Sequence, residues 1–176
     1  MRDSTTLTKP DIERMFRLLS EELAGVGAAG EVYVVGGAVM CLALDARPAT
    51  RDVDAFFRPA RLVREAAARA AARAGVHDAW LNDAVKGYLS ARGQFDPWVE
   101  LPNLRVFVAR PEYLLAMKCA AMRLGEEFHD LDDVRYLLRW LNIERVDDAL
   151  AIVTRYFDEA VLAPKTRLAL EELLPP

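Results

Sequence analysis

The sequence predicts an α+β chain, and three observations carry that prediction. Short runs rich in β-branched and aromatic residues stand at Val32–Val35, Asp52–Phe57 and Leu104–Ala109, each of strand length. Before and between them lie stretches with apolar residues at helical spacing. From Pro111 onward only helical patterns follow. The expected organisation is a sheet-bearing core over residues 1–110 and a helical part over 111–176 packed on it as one compact unit.

Residues 1–8 are polar and expected to fray. Pro10 suits the first turn of a helix, in which Ile12, Met15, Phe16, Leu19 and Leu23 form one apolar stripe. Gly25, Gly27 and Gly30 separate it from the strand Val32–Val35. Gly36 and Gly37 follow at once, where a tight turn or a close backbone approach requires them. Ala38–Leu44 is apolar and helix-forming, Pro48 ends it, and Thr50 leads into the second strand.

Side chains alternate along a strand, so Asp52 and Asp54 share a face. Two neighbouring carboxylates repel unless a cation sits between them. Mg²⁺ takes oxygen ligands and commonly uses one or two carboxylates plus substrate phosphates. A turn of glycine N–H groups opening a helix can supply phosphate contacts. Asp52 and Asp54 are therefore the candidate metal ligands. Gly36, Gly37, Thr50 and Arg51 are candidate nucleotide contacts.

Further along, Arg61–Ala74 is an alanine-rich helix closed by Gly75, its arginines read as a solvated face rather than a basic surface. Asn82 and Asp83 either cap a short helix or face a nucleotide or metal. His77 reads as a surface or satisfied histidine. Gly87–Pro97 reads as a loop, and Pro102-Asn103 as a turn before Leu104–Ala109. In the helix opened by Pro111 and ended by Gly125, Lys118 is flanked by Leu114, Leu115, Ala121 and Met122. An ammonium on an apolar face either snorkels to the rim or meets a carboxylate or a ligand phosphate. Asp130 and Asp133 both flank the apolar face of the next helix, so either can pair with Lys118. Asp132 looks solvent-facing, and His129 reads as a loop residue. Val146–Phe157 and Pro164–Leu174 read as two more helices, the first with a stripe of Val146, Leu150, Val153 and Phe157.

The chain has 176 residues and a formal net charge of −4, which argues against wholesale coating of nucleic acid. Cys41 and Cys119 both fall in apolar helical stretches and read as buried free thiols, which suits a reducing cytoplasm. The first residues lack the apolar core of a secretion signal, and no apolar run is long enough to span a bilayer. A cytoplasmic protein without a membrane partner is expected.

The order strand, Gly36-Gly37, helix, Thr50-x-Asp52-x-Asp54, strand resembles the nucleotidyltransferase superfamily. More closely, the chain is similar to small nucleotidyltransferase-like bacterial proteins of the AbiEii and MenT toxin class. The resemblance covers roughly residues 30–140. It implies a small mixed β-sheet flanked by helices, and transfer of NMP from an NTP to a hydroxyl of a tRNA, a protein or a small molecule. It also implies a possible antitoxin or other protein partner. Under it Asp52 and Asp54 hold Mg²⁺, Lys118 contacts phosphate, and Asp130 or Asp133 orients Lys118 or takes the acceptor proton. A tRNA acceptor would call for a basic groove of Arg47, Arg51, Arg105 and Lys86 near Asp52. Two features depart from the pattern. Ala38 stands where many relatives carry Ser or Thr, and neither Glu100 nor Asp83 is a clean third strand carboxylate. The alternative is a catalytically degenerate nucleotide-binding or protein-interaction module on the same fold.

Overall fold

A computed structural model describes residues 6–122, 130–174 and 176. Gly125 and His129 lie outside the described residues. The chain divides into two compact units, Met1–Gly87 with Phe95–Ala109, and Tyr88–Gln94 with Arg110–Pro176. No helix among the described residues is long and apolar enough to cross a membrane.

The first unit runs β1 (Leu7–Thr8), α1 (Lys9–Gly25), β2 (Gly30–Val34), α2 (Gly37–Leu42), β3 (Ala49–Thr50), β4 (Val53–Arg58), α3 (Ala60–Ala74), β5 (Leu81–Asn82), β6 (Phe95–Leu101) and β7 (Leu104–Ala109). Leu7 and Thr8 do not fray. Leu7 is buried and pairs with Thr50, while the Thr8 side chain caps α1 in a reciprocal box with Asp11. The expected stripe of α1 is realised, with Ile12, Met15, Phe16, Leu19 and Leu23 all buried. Burying side chains of this size is worth about 1.5–3 kcal/mol each. Trp80 is fully enclosed and gives its indole N–H to the Ala67 carbonyl at 3.1 Å.

The main sheet has the order β5-β4-β2-β7-β6. β2 is antiparallel to β4 and parallel to β7, β4 is parallel to β5, and β6 is antiparallel to β7. The sheet is therefore mixed. One face carries the buried core residues Val32, Val34, Val53, Ala55, Phe57, Leu104, Val106 and Val108; α1 packs on β7, and α3 on β4 and α1. The arginines of α3 are tied to acids: Arg61 to Glu65, Arg64 to Asp83, Arg69 to Glu22, and Arg73 to Glu21 and Glu22. They form no basic surface.

β6 corrects the loop expected over Gly87–Pro97, because the strand begins at Phe95. Pro97 donates no ladder hydrogen bond, which is tolerated on an edge strand or at a bulge. Here both hold, since β6 is the sheet edge and the register shifts between Pro97 and Val99.

The second unit consists of the segment Tyr88–Gln94 and α4 (Pro111–Ala120), α5 (Asp130–Trp140), α6 (Val146–Tyr156) and α7 (Pro164–Leu173). α4 packs on α5 and α6, and α6 on α7. The buried stripe of α6 is Ala149, Val153 and Tyr156, rotated from the one expected. Tyr156 supplies the reason, since its ring meets Tyr113 of α4 at 5.1 Å. The segment 88–94 is clasped by these two tyrosines. The Ser90 N–H donates to the Tyr113 hydroxyl at 3.0 Å, the Ser90 hydroxyl to the Tyr156 carbonyl, and the Tyr156 hydroxyl to Gln94 Oε1 at 2.8 Å.

Candidate functional site

β2 runs into a turn at Gly36 with φ 66° and ψ −150°, a conformation essentially confined to glycine. A Cβ added at Gly36 would fall 3.3 Å from Asp54 Oδ2. One at Gly37 would fall 2.9 Å from Arg47 Nη1 and 3.6 Å from Thr50 Oγ1. The two glycines therefore let the Asp54 carboxylate, the Arg47 guanidinium and the Thr50 hydroxyl close on one turn. The Val35 N–H donates to the Asp54 carbonyl at 2.9 Å and fixes the strand beside it.

The second strand begins at Val53, one residue later than expected, and Asp52 precedes it. Asn82 holds this acidic end. It lies opposite Asp54 across the β4–β5 pair, and its Nδ2 donates to Asp52 Oδ2 at 3.1 Å. Its Oδ1 accepts from the Ala84 N–H at 3.4 Å, at the start of the 3-10 turn Ala84–Tyr88. Asn82 thus caps the turn and contacts Asp52 at once. Thr50 Oγ1 donates to the Asp52 carbonyl at 3.1 Å. Arg51 is exposed, and its carbonyl lies 3.0 Å from His77 Nε2, which satisfies that histidine.

Asp83 is engaged by two cations, Arg64 at 2.7 Å and Lys86 at 2.5 Å. The Lys86 hydrogen bond, helped by Arg64, holds its carboxyl below the usual carboxylate range. The expected basic groove is not assembled. Arg47 reaches the glycine turn, but Lys86 is bound to Asp83, and Arg105 pairs with Glu31 at 3.3 Å. Glu31 lies four residues from Val35 along the strand, about 13 Å at roughly 3.3 Å per residue. Arg105 therefore sits at the far end of the sheet from Asp54.

In the helical unit both candidate acids meet the lysine. Lys118 Nζ is 2.7 Å from Asp133 Oδ2 and 3.4 Å from Asp130 Oδ1. The three side chains are 13%, 4% and 7% exposed, so Lys118 does not snorkel. Asp132 is instead exposed and paired with Arg135. The predicted residues other than Arg51 and Asp83 thus gather in two clusters, one in each unit: Gly36, Gly37, Thr50, Asp52, Asp54 and Asn82, and Lys118 with Asp130 and Asp133.

Cys41 and Cys119 are buried and free, and burial pushes the Cys119 thiol up to about 12. Among the described residues no three His, Cys, Asp or Glu side chains gather as metal ligands. A Mg²⁺ shared with substrate phosphates needs only one or two carboxylates, and the oxygen donors of Asp52 and Asp54 fit that demand. A cleft of about 620 Å³ is lined by residues that include Glu31, Arg58, Asn103 and Arg105. It lies away from the carboxylate pair, and size alone supplies no chemistry there. Sequence reasoning placed Arg47 only in the basic groove and missed its approach to Gly37, since nothing in its spacing marks that contact. It also missed a set of part-buried aromatic rings on the sheet face opposite α1 and α3, which the i, i+2 alternation of Asp54, Phe56 and Arg58 could have flagged.

Comparison of the chain with protein-family models, curated proteins and solved structures finds no match.

Proposed function

We propose that the protein has a nucleotidyltransferase-like fold and is a Mg²⁺-dependent nucleotidyltransferase, moving NMP from an NTP to a hydroxyl acceptor. The observation that carries this reading is the Gly36 turn set directly against the Asp54 carboxylate. That arrangement brings backbone N–H groups beside a hard oxygen donor. Asp52 and Asp54 would hold the ion, which supplies charge neutralisation to the triphosphate when bound. Asn82 orients Asp52, and Gly36, Gly37, Thr50 and Arg47 form the turn beside the phosphates. For the helical unit the resemblance alone implies roles, a phosphate contact for Lys118 and the acceptor proton for Asp130 or Asp133. The acceptor is a tRNA, protein or small-molecule hydroxyl; the basic-groove argument for tRNA falls with Arg105.

One observation favours the degenerate nucleotide-binding or partner-binding module. The cross-strand row of Asp54 runs Asn82, Asp54, Val35, Ala109, Phe95, with no third carboxylate in it. Calorimetric titration of wild type and Asp54→Ala with each of the four NTPs, with and without Mg²⁺, followed by a labelled-NTP transfer assay, separates the readings. Mg²⁺-dependent binding that disappears in Asp54→Ala places nucleotide binding at this carboxylate, and transfer of label then distinguishes the enzyme from a module that only binds nucleotide. Absence of binding to wild type rejects the enzyme in favour of a protein-interaction module.

A further inference from the structure

We infer that Phe56, Tyr33, Phe107 and Phe95, on the face of the five-stranded sheet opposite α1 and α3, form a base-binding surface for the nucleotide held at Asp52 and Asp54. The inference rests on the nucleotidyl-transfer reading and assigns the part of the ligand which that reading leaves without a partner.

Strand register puts these rings beside the candidate site. Phe56, Tyr33 and Phe107 lie opposite one another on β4, β2 and β7. Tyr33 stacks on Phe56 at 4.4 Å with an interplanar angle of 1°, and on Phe107 at 4.8 Å with 9°. These separations match the roughly 4.7–4.9 Å between strands. The rings therefore stand upright, one per strand, faces together and edges outward. Phe56 is two residues from Asp54 on the same face, roughly 7 Å along the strand. A sugar between a phosphate and its base spans such a gap.

Phe95 already meets these rings nearly at right angles. It is 5.3 Å from Tyr33 and 5.7 Å from Phe56, turned 80° to both. It can reach inward because Ala109 and Val35, its neighbours in the row, are small. The edges of upright aromatic rings are electropositive and the face of a flat ring is negative, so this T-shaped contact is favourable. A nucleobase laid on the surface makes the same contact. All four rings are only part-buried, which leaves area for it to cover.

The chemistry also limits selectivity. The Tyr33 hydroxyl is the one polar group of the four side chains, and it donates to Glu31 and accepts from Arg58, both at 2.9 Å. It is thereby taken up and does not read base edges. Every base has a π-face, so all four NTPs bind with similar affinity, purines somewhat tighter through their larger area.

The test is calorimetry with Mg²⁺ and ATP, CTP or inorganic triphosphate. Wild type is expected to bind both NTPs about tenfold more tightly than triphosphate, because only the NTPs bring a base to the rings. Phe95→Leu and Phe107→Leu are expected to weaken NTP binding about 5–10-fold and leave triphosphate binding unchanged. Equal affinity of wild type for NTP and triphosphate, or variants with unaltered NTP affinity, overturns this inference alone. Binding of neither overturns the nucleotidyl-transfer reading and the inference with it. Should the variants not fold, saturation-transfer NMR on wild type decides: aromatic irradiation must reach base protons more strongly than ribose protons, and the reverse order refutes the surface.

Discussion

Lys118→Met removes one charge from a nearly solvent-free cluster while keeping most of the side-chain volume. The nearer contact is 2.7 Å and the farther 3.4 Å. At an effective dielectric of about 20 these correspond to gross attractions of roughly 6 and 5 kcal/mol. Desolvation of the ammonium offsets several kcal/mol of that sum. Loss of one partner from a buried pair typically costs about 3–5 kcal/mol, because the remaining buried charges lose that attraction and keep their desolvation cost. For a chain of this length each kcal/mol moves the melting temperature by roughly 2–4 °C, so Lys118→Met melts about 6–20 °C lower at pH 7. Urea denaturation of wild type, Lys118→Met, Asp133→Asn and the double variant measures the coupling directly. The double variant should be more stable than Lys118→Met, since the buried carboxylate nearest the lost ammonium is neutral in it. A Lys118→Met protein within 1 kcal/mol of wild type would refute the reasoning, because the ammonium would then not hold the cluster together.

Two further perturbations test other parts of the molecule. In Gly93→Ala a Cβ would fall 2.5 Å from Tyr113 Cε1, and Tyr113 is fully buried and cannot swing away. Overpacking should cost about 1–3 kcal/mol in a urea melt, and an unchanged midpoint would show that the 88–94 segment is not clasped as described. Asp83 has a folded pKa depressed below its unfolded value of about 3.9. Its contribution is therefore present above the unfolded value and lost as pH falls through the folded one. Asp83→Asn should be less stable than wild type by about 0.5–1 kcal/mol at pH 7, with the gap closing on acidification toward about pH 2. A gap that stays constant between pH 7 and pH 2 would contradict the ion pairs with Lys86 and Arg64.

Periodicity made the elements with one strong signal readable in the sequence. The α1 stripe, the alanine-rich α3 with its Gly75 end, and strand β7 with its alternation stand where the pattern puts them. β6 was hidden because Pro97 argues against a strand, and only its edge position makes Pro97 acceptable. β1 was hidden because a two-residue strand has no period; Leu7 is ordered by a partner forty-three positions away, Thr50. At the candidate site the residue types and order around Gly36 and Asp54 were visible. What could not be read is tertiary: Asn82 joining the acidic pair, Arg47 reaching Gly37, and Arg105 leaving for Glu31. Lys118 shows the limit from the other side. Helical spacing brought Asp130 and Asp133 equally near, and only the packed helices show that both engage it.

The peptide chain crosses between the two units three times, after Gly87, after Gln94 and after Ala109. A single cut therefore cannot divide the protein into self-sufficient halves. A fragment ending at Ala109 carries Tyr88–Gln94 without the tyrosines that hold it, and a fragment starting at Arg110 leaves Tyr113 and Tyr156 with nothing to clasp. The helical unit is accordingly not a cassette that recombination can append to a sheet at one junction. Exchanging it intact requires replacing the 88–94 segment together with everything from Arg110 onward.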